Sequence, residues 1–428
     1  MEFDVANLNA GDTAWVLVSA ALVLFMTPGL AFFYGGMVRS KHVLGMLMQN
    51  FFSMGLVSVI WAVAGYSLAF GGTGKWIGNL DFFGLTDAAT MYPADPAGVE
   101  WFAIFTIPPL VFVAYQMMFA IITPALITGA IADRMRFSAW VWFLGLWAIL
   151  VYSPVAHWVF SPAGWLFERG ALDFAGGTVV HINAGIAALV AVLVLGKRKG
   201  WPNKPMPPHS LPLTMLGTGI LWFGWFGFNA GSALAANGLA GQALMNTHMA
   251  AAAAMLGWLI IERLKGGHAT TLGAASGAVA GLVAITPCAG YVGGLAPVYI
   301  GLVAGVVCFL AISLKNKFGY DDSLDVVGVH LVGGIVGSLL LGFFADPSIN
   351  AIVGANPGVL IKDGGTNLLV DQLTAVGATL IFSGLVTFAI LKVLALVLPG
   401  GIRVSDEDEE RGLDLSQHSE VGYSYAER

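Results

Sequence analysis

The hydrophobic pattern of this chain is one of long unbroken apolar runs separated by short polar connections. A helix that spans a bilayer needs ~20 consecutive apolar residues. Runs of that kind occur at residues 13–37, 43–70, 101–131, 137–159, 174–196, 211–232, 239–262, 270–287, 292–314, 324–345 and 368–398. The pattern predicts an all-α polytopic membrane protein with eleven transmembrane helices. A short segment 1–12 precedes the first helix, and a polar tail, 399–428, follows the last. The eighth run is short; the eleventh is long enough to tilt or to extend past the bilayer.

Composition agrees with that reading. Of 428 residues, 57% are apolar and 10% charged, with mean hydropathy +0.80. Soluble domains carry roughly 25% charged residues. Most of the 56 glycines lie within apolar runs beside Ala and Ser, where small residues let membrane helices approach closely. A net charge of −6 gives no nucleic-acid signal. The two cysteines, Cys288 and Cys308, form neither a disulfide framework nor a zinc motif. The first residues lack the positive region of a cleaved signal peptide.

Lys and Arg set the orientation. The loops after odd-numbered helices hold Arg39, Lys41, Arg134, Arg136, Lys197, Arg198, Lys199, Lys204, Arg263, Lys265, Lys315 and Lys317. Those after even-numbered helices hold only Lys75, Arg169 and Lys362. The first set is expected in the cytoplasm, so the N-terminus is outside and the tail inside. The outer loops carry Asp81, Asp87, Asp95, Glu100 and Glu168, an acidic face that attracts cations mildly or is simply solvated.

Two histidines lie deep in apolar helices. Val180-His181-Ile182 in helix 5 is echoed by Val329-His330-Leu331 in helix 10, and Gly185-Ile186 by Gly334-Ile335. Ionisable residues inside membrane helices are functional candidates. Two at matching places predict an inverted 5+5 repeat, about 13–196 and 211–345, with helix 11 clamped outside. Adjacent neutral imidazoles would form a polar rail for a small solute, since both cannot charge cheaply in a dry site. A metal site would need three or four ligands, and no third His or Cys is near. Asp173 precedes helix 5 and is placed to cap it, or to touch a solute; Asp325 has a similar place before His330. Phe119 and Phe228, in aromatic-rich stretches of helices 3 and 6, are placed to narrow a pore.

These residues resemble the Amt/MEP/Rh family of ammonium transporters, on its bacterial Amt branch. The likeness rests on Thr27-Pro-Gly-Leu-Ala-Phe-Phe-Tyr-Gly-Gly36, Asp173-Phe-Ala-Gly-Gly-Thr-Val-Val-His181, Gly224-Trp-Phe-Gly-Phe-Asn-Ala-Gly-Ser232 and Asp325-Val-Val-Gly-Val-His330. Gly401-Ile-Arg-Val404 and Glu410-Arg-Gly-Leu-Asp-Leu-Ser-Gln-His418 in the tail match as well. The resemblance implies a homotrimer of eleven-helix protomers, each with its own pore, in the cell membrane, here a bacterial inner membrane. It casts Phe119 and Phe228 as the stacked pair closing the outer mouth and Ser232 as a hydroxyl that helps recruit the cation. His181 and His330 become the twin pore histidines, and Asp173 the required aspartate. The family's vestibule tryptophan is replaced: Phe160 takes its place, with Trp158 or Trp165 as substitutes. A PII-type signal protein is the implied partner at the cytoplasmic face.

The expected activity is transport of ammonium, with methylammonium as analogue. Taking an ammonium-sized ion into a low-dielectric tube costs of order 20 kcal/mol before relaxation. The ion would therefore be recognised outside, lose its proton, and cross as NH3, with or without that proton. The alternatives are a neutral-solute channel for water or CO2, and an ammonium sensor signalling through its tail. No nucleophile–base pair suggests an enzyme, and no cofactor is implied.

Overall fold

The computed structural model describes residues 1–96 and 100–423. Residues 424–428, the end of the expected tail, lie outside them. Among the described residues all regular structure is helical, and ten helices are long and apolar enough to cross a membrane. In chain order these ten, together with the shorter apolar helix α8, are α1 (Ala10–Met37), α2 (43–70), α3 (Pro109–Ile131), α4 (137–160), α5 (Gly177–Leu195), α6 (Leu211–Ala230), α7 (Gly238–Gly266), α8 (Thr271–Ile285), α9 (Ala296–Ile312), α10 (Val327–Phe344) and α11 (Asn367–Val397). The short one is α8, at 15 residues, as its run of apolar positions anticipated.

Side-chain caps mark many of the starts. Asn9 accepts from Asp12 N, Asn237 from Ala240 N and Thr270 from Gly273 N, satisfying N–H groups that have no partner within the helix. The expected helix 101–131 is corrected: it begins only at Pro109, after a separate turn at Phe102–Ile104. Pro108 and Pro109 explain the break, because proline lacks the N–H and disfavours helix in the residue before it.

The bundle is built on close helix pairs. α1 lies along α6, and α7 packs on both α8 and α9. α5 and α10 cross at the centre, and α11 lies against α5, α10 and α4. α11 leaves Ile381, Leu385 and Leu396 exposed, an apolar outer face suited to lipid. The contact between α5 and α10 depends on two glycines. A Cβ at Gly185 would sit 2.5 Å from the Leu331 backbone, and one at Gly334 would lie 2.9 Å from Ile182. These are the glycines that echo each other in the sequence, each four or so residues past a histidine.

Candidate functional site

Both histidines sit on widened π turns that open their helices, Gly177–Ile182 for His181 and Val327–Leu331 for His330. Such turns leave backbone N–H groups free at the start. Asp173 takes four of them, accepting from Gly176 and Gly177 N at 2.7 Å and from Thr178 and Val179 N at 2.7 and 3.3 Å. On α10 the corresponding residue is Asp322, which accepts from Val327 N at 2.7 Å. The expectation for Asp325 is thereby corrected. Asp325 instead pairs with Lys315 at 2.5 Å, and its own φ of +63° turns it away from a cap position. Counting back eight residues from each histidine lands on Asp173 and Asp322, so the signal was present in the sequence and was missed. Burial, with Asp325 beside it, pushes the Asp322 carboxyl above its ordinary range.

The two imidazoles meet edge to edge, Nδ1 to Nδ1 at 3.3 Å, with their planes 21° apart. One shared hydrogen bond between two Nδ1 atoms requires opposite tautomers when both rings are neutral. His181 Nε2 is buried without a protein partner and is thus open to a solute. The His181 ring lies parallel to Trp225 and Phe228, with centroids at 5.5 and 6.2 Å. Around this pair runs a narrow void of about 10 Å³, lined by Leu30, Ile122, Leu126, Val180, Leu221, Val279 and a few other apolar side chains. It is near the lower limit for one water-sized molecule.

Phe119 and Phe228 separate this void from the outside. Their centroids are 4.5 Å apart, and each ring is almost fully buried. Phe228 lines the inner void, whereas Phe119 lines an open cavity of about 780 Å³ on the other side. That cavity also contains Ser232, Phe160 and Asp173, so these four expected residues share one chamber.

Trp158 does not reach the chamber. Its indole N–H donates to Trp76 O at 2.6 Å, and its ring packs against Phe382 at 4.6 Å. It therefore serves the packing behind the wall that Phe160 lines. Trp165 likewise packs on Trp76 and Trp158. The indole on the chamber wall belongs to Trp101, in the turn ahead of α3. Tyr115 is the other residue that sequence reasoning left unassigned. One turn above Phe119, it places its hydroxyl 3.1 Å from Ser232 Oγ, and also within 2.9 Å of the Gly227 and Phe228 carbonyls. Ser232 Oγ in turn donates to Phe228 O at 2.8 Å. Tyr115 at helical spacing before Phe119 was the available signal.

On the opposite face the basic loops close over buried carboxylates. Arg198 binds Asp321 through Nε and Nη2 at 2.9 and 2.8 Å, and Arg39 binds Asp133 at 2.9 Å. The tail folds onto these loops as two short helices, α12 (Asp406–Arg411) and α13 (Leu413–His418). Glu409 accepts from Lys199 N at 2.6 Å and pairs with Arg403 at 2.8 Å, while Asp414 accepts from Gly45 N at 2.8 Å. Ile402 and Leu413 are buried, but Leu415 stays 39% exposed. Leu415 lies on the outward side of this short helix, whose inward side Leu413 and Asp414 fill.

Comparison with known proteins places this geometry. The chain is 53% identical over 437 residues to an ammonium transporter of Mycobacterium bovis, covering 98% of this chain and 91% of that one. It is 48% identical over 417 residues to an ammonium transporter of Bacillus subtilis, covering 97% and 99%. Its structure matches the crystal structure of Candida albicans Mep2 with a TM-score of 0.86 at 34% identity, covering 95% of this chain and 89% of that one. The sequence pattern of the Ammonium Transporter Family runs from residue 14 to residue 423, and the chain belongs to that family.

Proposed function

We propose that this protein is an ammonium transporter that recruits NH4+ in the outer chamber and passes NH3 along His181 and His330. The observation that carries this reading is the partition at Phe119 and Phe228. On one side lies an open chamber with the acceptors Ser232 and Tyr115 and the aromatic faces of Trp101 and Phe160. On the other lies a void whose lining is apolar except for two imidazoles and an indole. An ammonium ion gains from hydroxyl acceptors and π-faces outside. Inside, the void offers it no carboxylate, and stripping its hydration costs several kcal/mol even after relaxation. Ammonia carries no such penalty. It can donate to the unpartnered His181 Nε2 and move from one ring to the next. The proton released from NH4+ leaves through water of the outer chamber or crosses separately.

The same reading includes eleven membrane spans with α8 among them, an inverted repeat of α1–α5 and α6–α10, and an outward N-terminus. The twelve basic residues on one set of loops against three on the other support that orientation. It also includes a homotrimer in the bacterial inner membrane and a PII-type protein at the cytoplasmic face. The test is methylammonium uptake beside current recording on the same proteoliposomes. Uptake with one charge per solute means the proton crosses too; uptake without current means the neutral amine alone moves. Water or CO2 permeation with no methylammonium uptake overturns the reading in favour of a neutral-solute channel.

A further inference from the structure

Among the described residues, the outer chamber is lined by two acidic residues, Asp12 and Asp173, and by no Lys, Arg or His. The two carboxylates differ in what surrounds them. Asp173 spends both oxygens on four backbone N–H groups at the start of α5, which disperses its charge. Asp12, in the first turn of α1, receives two bonds among the described residues, both from neutral donors. Thr106 Oγ1 donates to Oδ2 at 2.5 Å, and Ala236 N donates to Oδ1 at 2.7 Å. No Lys, Arg or His among the described residues pairs with it.

The donors matter as much as the charge. Thr106 stands just before α3, the helix that carries Tyr115 and Phe119. Ala236 stands four residues beyond Ser232, past the turn Gly231–Ala233. Asn9, next to Asp12, adds a backbone bond to Thr106 O at 2.8 Å, and Trp15 Nε1 donates to Ala230 O at 3.2 Å. The first turns of α1 therefore hold both edges of the chamber mouth, with Asp12 bonded to each.

We propose that Asp12 is a specificity-determining residue of the outer chamber. Its uncompensated carboxylate concentrates cations beside Ser232, and its hydrogen bond from Ala236 N ties down the segment that follows Ser232, while the one from Thr106 Oγ1 holds the opposite edge of the mouth. The proposal rests on the reading of this chamber as the place where a cation is recruited. A negative charge in a water-filled chamber acts at a distance, so it raises local cation occupancy without touching the ion. Such an effect weakens as salt rises, whereas a hydroxyl or aromatic contact does not.

The experiment separates charge from clamp. Asp12→Asn keeps the shape: its carbonyl still accepts from Ala236 N, and its amide can face Thr106 Oγ1. Asp12→Ala removes both. Methylammonium uptake by proteoliposomes is measured at about 0.01 M and about 1 M ionic strength, where the Debye length falls from ~30 to ~3 Å. Asp12→Asn is expected to raise KM about three- to ten-fold at low salt, with a smaller change in maximal rate, and to approach wild type at high salt. Asp12→Ala should add a salt-independent loss as the Ser232 turn loosens. An Asp12→Asn protein with wild-type KM at low salt, or a KM shift that salt leaves unchanged, overturns the proposal. If the wild type shows no uptake at all, the ammonium reading fails instead. Titration calorimetry of methylammonium into the detergent-solubilised proteins then decides the Asp12 claim. Weaker, salt-sensitive binding in Asp12→Asn upholds it; equal binding, or none in the wild type, refutes it.

Discussion

Asp173 offers the sharpest test of whether this architecture is about shape or about contact with the solute. Its carboxylate is nine-tenths buried and accepts three backbone bonds at 2.7 Å and one at 3.3 Å. A hydrogen bond to a charged group contributes about 1.5–3 kcal/mol, and a buried donor left alone costs about 1–3 kcal/mol. The bonds share one side chain and are not additive, so Asp173→Ala should destabilise the protein by about 3–5 kcal/mol. Asp173→Asn is the informative variant. Its one carbonyl oxygen can still serve Gly176 and Gly177 N, but its amide N–H groups would face Thr178 N–H and Val179 N–H, donor against donor. It should therefore lose most of the same stability, about 2–4 kcal/mol. Because His181 lies two residues beyond the last capped N–H, both variants should also lose methylammonium uptake. Unfolding in detergent, followed by tryptophan fluorescence, gives the stability; uptake in vesicles gives the function. An Asp173→Asn protein that is as stable as wild type yet inactive would refute the capping argument, and would assign Asp173 to direct contact with the solute.

His181→Ala and His330→Ala should each impair methylammonium uptake or its discrimination against other ions while folding and assembly survive; unchanged flux and selectivity in both would remove the histidine rail. Phe160→Trp should tighten apparent ammonium affinity by about 0.5–1 kcal/mol, since indole attracts cations better than phenyl; no change beside a clear loss in Trp101→Ala would place recruitment at Trp101 instead. Burial pushes the Asp133 and Asp321 carboxyls up, but His42, Arg198 and Arg39 around Asp133, and Arg198 and Arg134 around Asp321, hold both below the ordinary range. A depressed folded pKa stabilises above the unfolded value, about 3.9, and that contribution is lost as pH falls through the folded value. Stability should therefore be insensitive to these two groups down to about pH 4 and fall below it, and a loss already at pH 6 that Asp133→Asn abolishes would contradict the pairing. A cognate PII-type trimer should be retained by the solubilised protein in at least one nucleotide state and released by salt; failure with both full-length and tail-deleted forms across nucleotide states would remove that partner.

Length and hydropathy alone placed nearly every long helix, because a bilayer-spanning segment must be both long and apolar whatever it packs against. The histidine echo was legible for a related reason: an ionisable residue in such a segment has few purely structural uses, so two at matching positions stand out. Local chemistry also explained the one helix that came out wrong, since Pro108 and Pro109 forbid the backbone that hydropathy suggested through residue 101. Beyond that, hydropathy fails. Trp158 and Phe160 are two positions apart on one helix, and only the crossing of neighbouring chain segments decides that Trp158 turns into Trp76 and Phe382 while Phe160 faces the chamber. Asp322 and Asp325 are both carboxylates shortly before His330 in the sequence; the +63° turn at Asp325 and the nearness of Lys315 give the cap to Asp322. The meeting of His181 and His330 at 3.3 Å needs two helices 149 residues apart to cross at Gly185 and Gly334. Which residues can line a membrane helix is a property of each segment by itself. Which of them face one another is set by how the segments pack, and that is where the two imidazoles, the paired rings and the Tyr115–Ser232 contact come into being.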